Sequence, residues 1–183
     1  KMLAGSTLGL VGYGGLGQAL APRAQALGME VVAIRKSTAP LGPGVKRANS
    51  LKALFEASYH VVLGLPATAV TRHMINADIL AYAKPDLHLV NIARGALIDD
   101  DALLHALDTG KVSGATLDVT EPEPLPEGHT FYGHPKIFLS PHSSTNSEDN
   151  FLTIAAHFAT NLERFLRGDP LLDVINADRE STS

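Results

Sequence analysis

The sequence predicts an α/β protein, a doubly wound parallel sheet covered by helices on both faces. Two observations carry that prediction. Short apolar runs of strand character alternate with stretches of helical period along the chain, and βα units produce that alternation. In addition, 45% of the 183 residues are apolar, enough to bury a core within one domain that leaves room for a short appendage.

The first strand is "TLGLVG", which ends at Gly12. Residues 16–27 have helical character with Gly28 as the C-terminal cap, and "EVVAI" is the second strand. "STAPLGPG" follows as a loop, because no regular element tolerates so many prolines and glycines. Ser50 caps the helix "LKALFEA", and "HVVLGL" is an apolar strand halted by Pro66. Another helix starts near Asn76, and "LHLVNI" is the next buried strand. Asp99 caps "DDALLHAL", which Gly110 terminates before the strand "VSGATL". "DVTEPEPLPEGHTFYGHP" is polar, broken by prolines and too long for idle filler. "KIFLS" is the last strand. Residues 147–167 repeat apolar positions at helical spacing up to Gly168, and the tail "PLLDVIN" is apolar with no element left to pair with.

Composition removes several classes of function. A net charge of −4 argues against broad nucleic-acid binding. Zero cysteines exclude disulfides, thiolate metal sites and a cysteine nucleophile, and fit a reducing compartment such as the cytoplasm. The eight histidines show no HExxH or similar close pairing, so no metal site is expected. No run of about 18 apolar residues exists to span a bilayer. The N-terminus lacks the apolar stretch of a secretory signal, although a segment upstream of Lys1 would change that reading.

Between the first strand and the first helix, Gly12, Gly14 and Gly17 stand at the spacing of a phosphate-cradling turn. Gly12 permits the tight turn, Gly14 lets backbone amides approach a pyrophosphate, and Gly17 lets helix and strand pack closely. Gly15 and Leu16 complete the loop, and the helix N-terminus adds partial positive charge. The pattern points to a Rossmann domain binding NAD or NADP. The residue after the second strand distinguishes the two, because a carboxylate there holds the ribose hydroxyls of NAD and repels a 2′-phosphate. Here Arg35, Lys36 and Ser37 stand at that point, two cations and a hydroxyl. The expectation is NADP, with NAD possible; a solvated basic loop would have the same composition.

Ligands of open α/β sheets bind beyond the carboxyl ends of the strands. Arg94 follows "LHLVNI", Glu123 lies in the loop after "VSGATL", and His142 follows "KIFLS". Together they suit hydride transfer to a keto acid: a cation for the carboxylate and carbonyl oxygen, an imidazole to trade a proton, and a carboxylate to hold it. Glu123 beside His142 would favour the protonated ring. Each also fits a duller part as surface arginine, loop charge or turn residue, so spacing alone leaves both readings open. The other histidines show no identifiable partner in sequence. His105 and His157 fall within helix patterns, and His134, before a proline, suits a turn.

The segments "LVGYGGLGQALA", "LVNIARGALIDDDALLHALDTGKVSGATLDVTEPEPLP" and "LSPHSS", in this order, resemble the D-isomer-specific 2-hydroxyacid dehydrogenase family, and the likeness covers nearly the whole chain. The resemblance implies catalytic roles for Arg94, Glu123 and His142. It places Asp118 against the nicotinamide carboxamide, and Pro66, Ala93 and Ser144, with Arg94 and His142, along the cofactor. Glu123 stands where the related formate dehydrogenases carry glutamine, which favours hydroxyacid chemistry. The implied reaction is reduction of a small 2-oxo acid, such as glyoxylate or hydroxypyruvate, by a homodimeric enzyme. Corepressor relatives supply the alternative, a module that senses NADP(H) without catalysis.

Family members also carry a substrate domain of roughly a hundred residues before the glycine loop, whereas six residues precede Thr7 here. The expectation is therefore a dinucleotide-binding domain over residues 1–169 and a segment, 170–183, returning toward a substrate domain that is largely missing.

Overall fold

In the computed structural model, which describes residues 2–144 and 147–174, all seven strands join one parallel sheet. They are β1 (Thr7–Val11), β2 (Glu30–Ile34), β3 (Val45–Arg47), β4 (His60–Leu63), β5 (His88–Asn91), β6 (Gly114–Leu117) and β7 (Ile137–Leu139). Their spatial order is β3-β2-β1-β4-β5-β6-β7. The chain winds outward from β1 to β3, returns, and winds the other way from β4, so the order reverses between β1 and β4. A crevice opens at such a point beyond the strand ends.

Helices α1 (Gly15–Ala26), α2 (Leu51–Ala57), α3 (Ala77–Leu80), α4 (Asp100–Asp108) and α5 (Thr130–Gly133) connect the strands. Successive strand residues face opposite sides of a sheet, and two cores result. Leu8, Leu10, Val31, Ala33 and Val62 pack with Ala21 and Ala24 of α1. On the other face Val61, Leu63 and Leu89 pack with Leu54 and Phe55 of α2, Leu80 of α3 and Leu103 and Leu107 of α4. Each such fully buried large side chain contributes about 1.5–3 kcal/mol. Side chains cap four of the described helices: Ser50 Oγ accepts from Ala53 N at 3.1 Å, Asn76 Oδ1 from Ile79 N at 3.1 Å, Asp99 Oδ1 from Ala102 N at 3.0 Å and His129 Nδ1 from Phe131 N at 3.3 Å. A cap of this kind contributes about 1 kcal/mol.

Two elements go beyond the sequence reading. Strand β3 extends what reads as loop: Val45 and Lys46 pair with Val31 and Val32 at the sheet edge, held by register rather than by apolar pattern. The long polar segment after β6 contains α5, a single turn that buries Phe131.

The chain divides into two compact units, Lys1–His142 and Ser143–Ser183. The second contains α6 (Glu148–Arg167), closed by Gly168 at φ 75°. Its following residues fold back on it: Asn161 Oδ1 accepts from Leu172 N at 2.8 Å, and Arg164 Nε donates to Pro170 O at 2.6 Å. Phe151, Ile154, Phe158, Leu162 and Phe165 are exposed along α6. The last nine residues of the expected returning segment lie outside the described residues. No described helix is long and apolar enough to cross a membrane.

Candidate active site

The glycine turn sits at the reversal of strand order. Gly12 has φ 102°, and a Cβ there would lie 2.6 Å from the carbonyl oxygen of Gly64, just past β4, so only glycine fits between the two strand ends. Gly17 is buried, and a Cβ on it would meet Gly12 O at 2.8 Å. Gly14, Gly15 and Leu16 are exposed, and a Cβ at Gly14 or Gly15 would meet no described atom within 4 Å. The first amides of α1 have no intrahelical acceptor, and Gly14, its N-cap, supplies no side-chain cap. These exposed donors and the positive end of the helix dipole suit a pyrophosphate.

Gly12 N donates to Ile34 O at 3.0 Å, which brings the end of β2 beside this turn and places Arg35 next to it. Arg35 is part-buried and makes no hydrogen bond or ion pair among the described residues. Lys36 and Ser37 are exposed.

Farther along, β5, β6 and β7 are neighbours, and each delivers one expected catalytic residue past its carboxyl end. Arg94 is exposed after β5, its guanidinium donating to Ala93 O at 2.6 Å. The loop carrying it is stapled from beneath by fully buried Asn91. Asn91 Nδ2 donates to Arg94 O at 2.9 Å, and its Oδ1 accepts from Ala93 N at 3.1 Å. Gly95 then begins a 3₁₀ turn, and a Cβ there would collide with the backbone of Thr120 and Glu121. The Arg94 loop and the loop leading to Glu123 therefore lie backbone against backbone.

His142 Nδ1 lies 2.6 Å from Glu123 Oε1, joining the loops after β6 and β7. The pair is half-exposed, and His142 holds a left-handed backbone at φ 51°. Asp118, at the end of β6, is buried and accepts from Ser140 Oγ. Pro66 is exposed after β4, where its carbonyl accepts from Thr71 Oγ1 at 2.9 Å. Ser144 belongs to the second unit and is exposed.

A second cluster braces this edge. Arg72 donates through Nη1 to Glu121 Oε1 and pairs with Oε2, each at 2.9 Å, tying the loop after β4 to the one that carries Glu123. That hydrogen bond and the accompanying charge hold the Glu121 carboxyl below its usual range and the guanidinium above. Nearby, burial pushes the Asp100 carboxyl up to about 6, against the opposing influence of His129 and His73.

Sequence reasoning missed Asn91, Gly95, Ser140 and the Arg72–Glu121 pair. A polar residue closing an otherwise apolar strand was the available signal for Asn91. Arg72 and Glu121 are 49 positions apart, and no local pattern joins them.

This combination of reversal-point glycine turn and strand-end polar residues defines a dinucleotide-binding α/β domain. Residues 1–144 match the family model of the D-isomer specific 2-hydroxyacid dehydrogenase NAD binding domain, and the chain belongs to that family. It is 37% identical over 170 residues to a glycerate dehydrogenase of Methylorubrum extorquens, covering 92% of this chain and 52% of that protein. It is 35% identical to a glyoxylate reductase of Thermococcus litoralis over 96% of this chain and 54% of the relative. The chain thus spans about half the length of these curated relatives. Among solved structures, a D-isomer specific 2-hydroxyacid dehydrogenase from Xanthobacter autotrophicus in complex with NADPH superposes with a TM-score of 0.88 at 31% identity, over 98% of this chain and 74% of the other. An NADPH-dependent glyoxylate/hydroxypyruvate reductase from Sinorhizobium meliloti gives 0.84 at 30%, over 93% and 55%.

Proposed function

We propose that this chain is the cofactor-binding domain of an NADP-preferring reductase that converts a small 2-oxo acid, of the glyoxylate or hydroxypyruvate kind, to the D-2-hydroxy acid. The observation that carries the reading is the 2.6 Å hydrogen bond between Glu123 and His142, on loops adjacent to the one presenting Arg94. The relative structures in complex with NADPH and NADP support the cofactor, and the glyoxylate reductase supports the substrate class.

In this reading Gly12, Gly14, Gly15, Leu16 and Gly17 hold the pyrophosphate, and Arg35, Lys36 and Ser37 the 2′-phosphate. Pro66, Ala93 and Asp118 border the nicotinamide end. When bound, the reduced nicotinamide supplies a hydride. Arg94 binds the substrate carboxylate and stabilises charge on the carbonyl oxygen. Glu123 engages Nδ1 of His142, which leaves Nε2 to carry the proton delivered to that oxygen. After delivery the ring is neutral and still hydrogen-bonded to the carboxylate.

The test is His142→Asn in an enzyme containing this chain. Turnover with glyoxylate should fall about a hundred- to ten-thousandfold, as for loss of a general acid, while NADPH affinity stays within about twofold. Equal loss of both would refute the assignment. NADPH binding without turnover across a panel of 2-oxo acids would instead assign the chain to the sensor class.

A further inference from the structure

We propose that Arg47 is a further determinant of cofactor choice, a positioning residue that shapes the Arg35–Lys36–Ser37 loop to receive a 2′-phosphate; the inference rests on the NADP reading above. Arg47 ends β3, and its register partner is Ala33, two residues before Arg35. Ala48 N donates to Ala33 O at 2.9 Å and fastens that end of β3 to β2. From there the guanidinium reaches over the loop. Nη1 donates to Ser37 O at 3.3 Å and Nη2 to Ala39 O at 2.5 Å.

The loop is also held from its other side. It runs through Pro40, Gly42, Pro43 and Gly44, and its far end is held by Gly42 N on the Tyr13 hydroxyl at 3.2 Å and by Gln25 Nε2 on Pro43 O at 3.0 Å. At Ser37 and Ala39 the guanidinium braces it. By drawing two carbonyl oxygens toward itself, Arg47 compensates the dipole ends that would repel a dianion. It leaves Arg35 and the Ser37 hydroxyl to bind one, since neither makes a hydrogen bond among the described residues. A planar fork can bridge two carbonyls in a way an ammonium cannot. A brace of general structural value would serve both cofactors equally, whereas one that shapes the phosphate loop matters only when the phosphate is there.

The experiment titrates this chain with NADPH and with NADH by fluorescence at fixed ionic strength, alongside melting curves. Arg47→Met keeps the aliphatic stem and removes the donors. It should raise the Kd for NADPH about tenfold, the loss of one charge-assisted hydrogen bond, and leave that for NADH within about twofold. Arg47→Lys, which keeps the charge, should restore less than half of the loss. Full rescue by lysine, or equal weakening of both cofactors, overturns the positioning role. Arg35→Asp separates the levels. If it swings preference toward NADH while both Arg47 variants leave the ratio alone, this inference fails and the NADP reading stands. If neither position moves the ratio, the NADP reading itself fails.

Discussion

Replacing Gly95 by alanine tests the closest backbone approach at the candidate site. The added methyl would be driven into the carbonyl group of Thr120 and the amide of Glu121, backbone atoms with no side-chain rotamer to swing away. Overpacking of this kind costs about 1–3 kcal/mol, and the immobility of three backbone atoms puts Gly95→Ala at the upper end. For a chain of this size each kcal/mol lowers Tm by about 2–4 °C, so a fall of about 6–12 °C is expected in thermal denaturation followed by circular dichroism. Gly133→Ala is the control. Its methyl would meet nothing within 4 Å, and at the end of a short helix it should leave Tm unchanged or slightly raised. A Gly95→Ala protein melting within about 2 °C of the parent would refute the reasoning, because the Arg94 and Glu123 loops would then have room to separate.

Three further outcomes follow from the same geometry. Gly14→Ala should leave Tm within about 2 °C, since its methyl meets open space, yet weaken NADPH binding by about tenfold or more where the pyrophosphate must approach; isothermal titration checks both cofactors. His60 and His88, register partners on β4 and β5, are held below the usual 6.5 mainly by burial, and His60 Nε2 is buried without a hydrogen-bond partner among the described residues. Unfolded chains take up protons there more readily than folded ones, so stability should decline as pH falls below about 6.5, and denaturant titrations of His60→Phe should show a shallower decline. Asp100 works in the opposite sense, its stabilising contribution being present below 3.8 and lost as pH rises through about 6. That interval corresponds to at most about 3 kcal/mol, on the order of 1 kcal/mol for a part-buried carboxyl in contact with water. Asp100→Asn should therefore stabilise the protein at pH 7.5, and the gain should vanish by pH 4.

Most of the fold was legible because its signals are local. The apolar runs of β1, β2, β4, β5 and β6 announce themselves within five residues, and Ser50, Asn76 and Asp99 mark helix starts by the chemistry of an oxygen that accepts from the third amide onward. Strand β3 was not legible: "VKR" has one apolar residue, and its pairing partners lie 14 positions earlier. The same contrast holds at the site. Strand ends pointed to Arg94, Glu123 and His142; Arg94 and His142 are the first titratable groups past their strands, whereas Asp118 and Glu121 precede Glu123 in its loop. Asn91 beneath the Arg94 loop is a local contact, but other supports act through contacts of distant origin, as Ser140 does on Asp118 and Arg72 on Glu121, and a single sequence carries no trace of such pairs.

The left-handed backbone at His142 bears on how that position can be interrogated or altered. Asparagine, aspartate and glycine occupy φ near 51° at little cost, whereas valine, isoleucine or threonine would strain the main chain on top of removing the imidazole. A mutational scan of the site would thus report two quantities at once, ring chemistry and backbone tolerance. Only the small, unbranched replacements separate them, and a lineage exploring this position by drift would meet the same narrow alphabet.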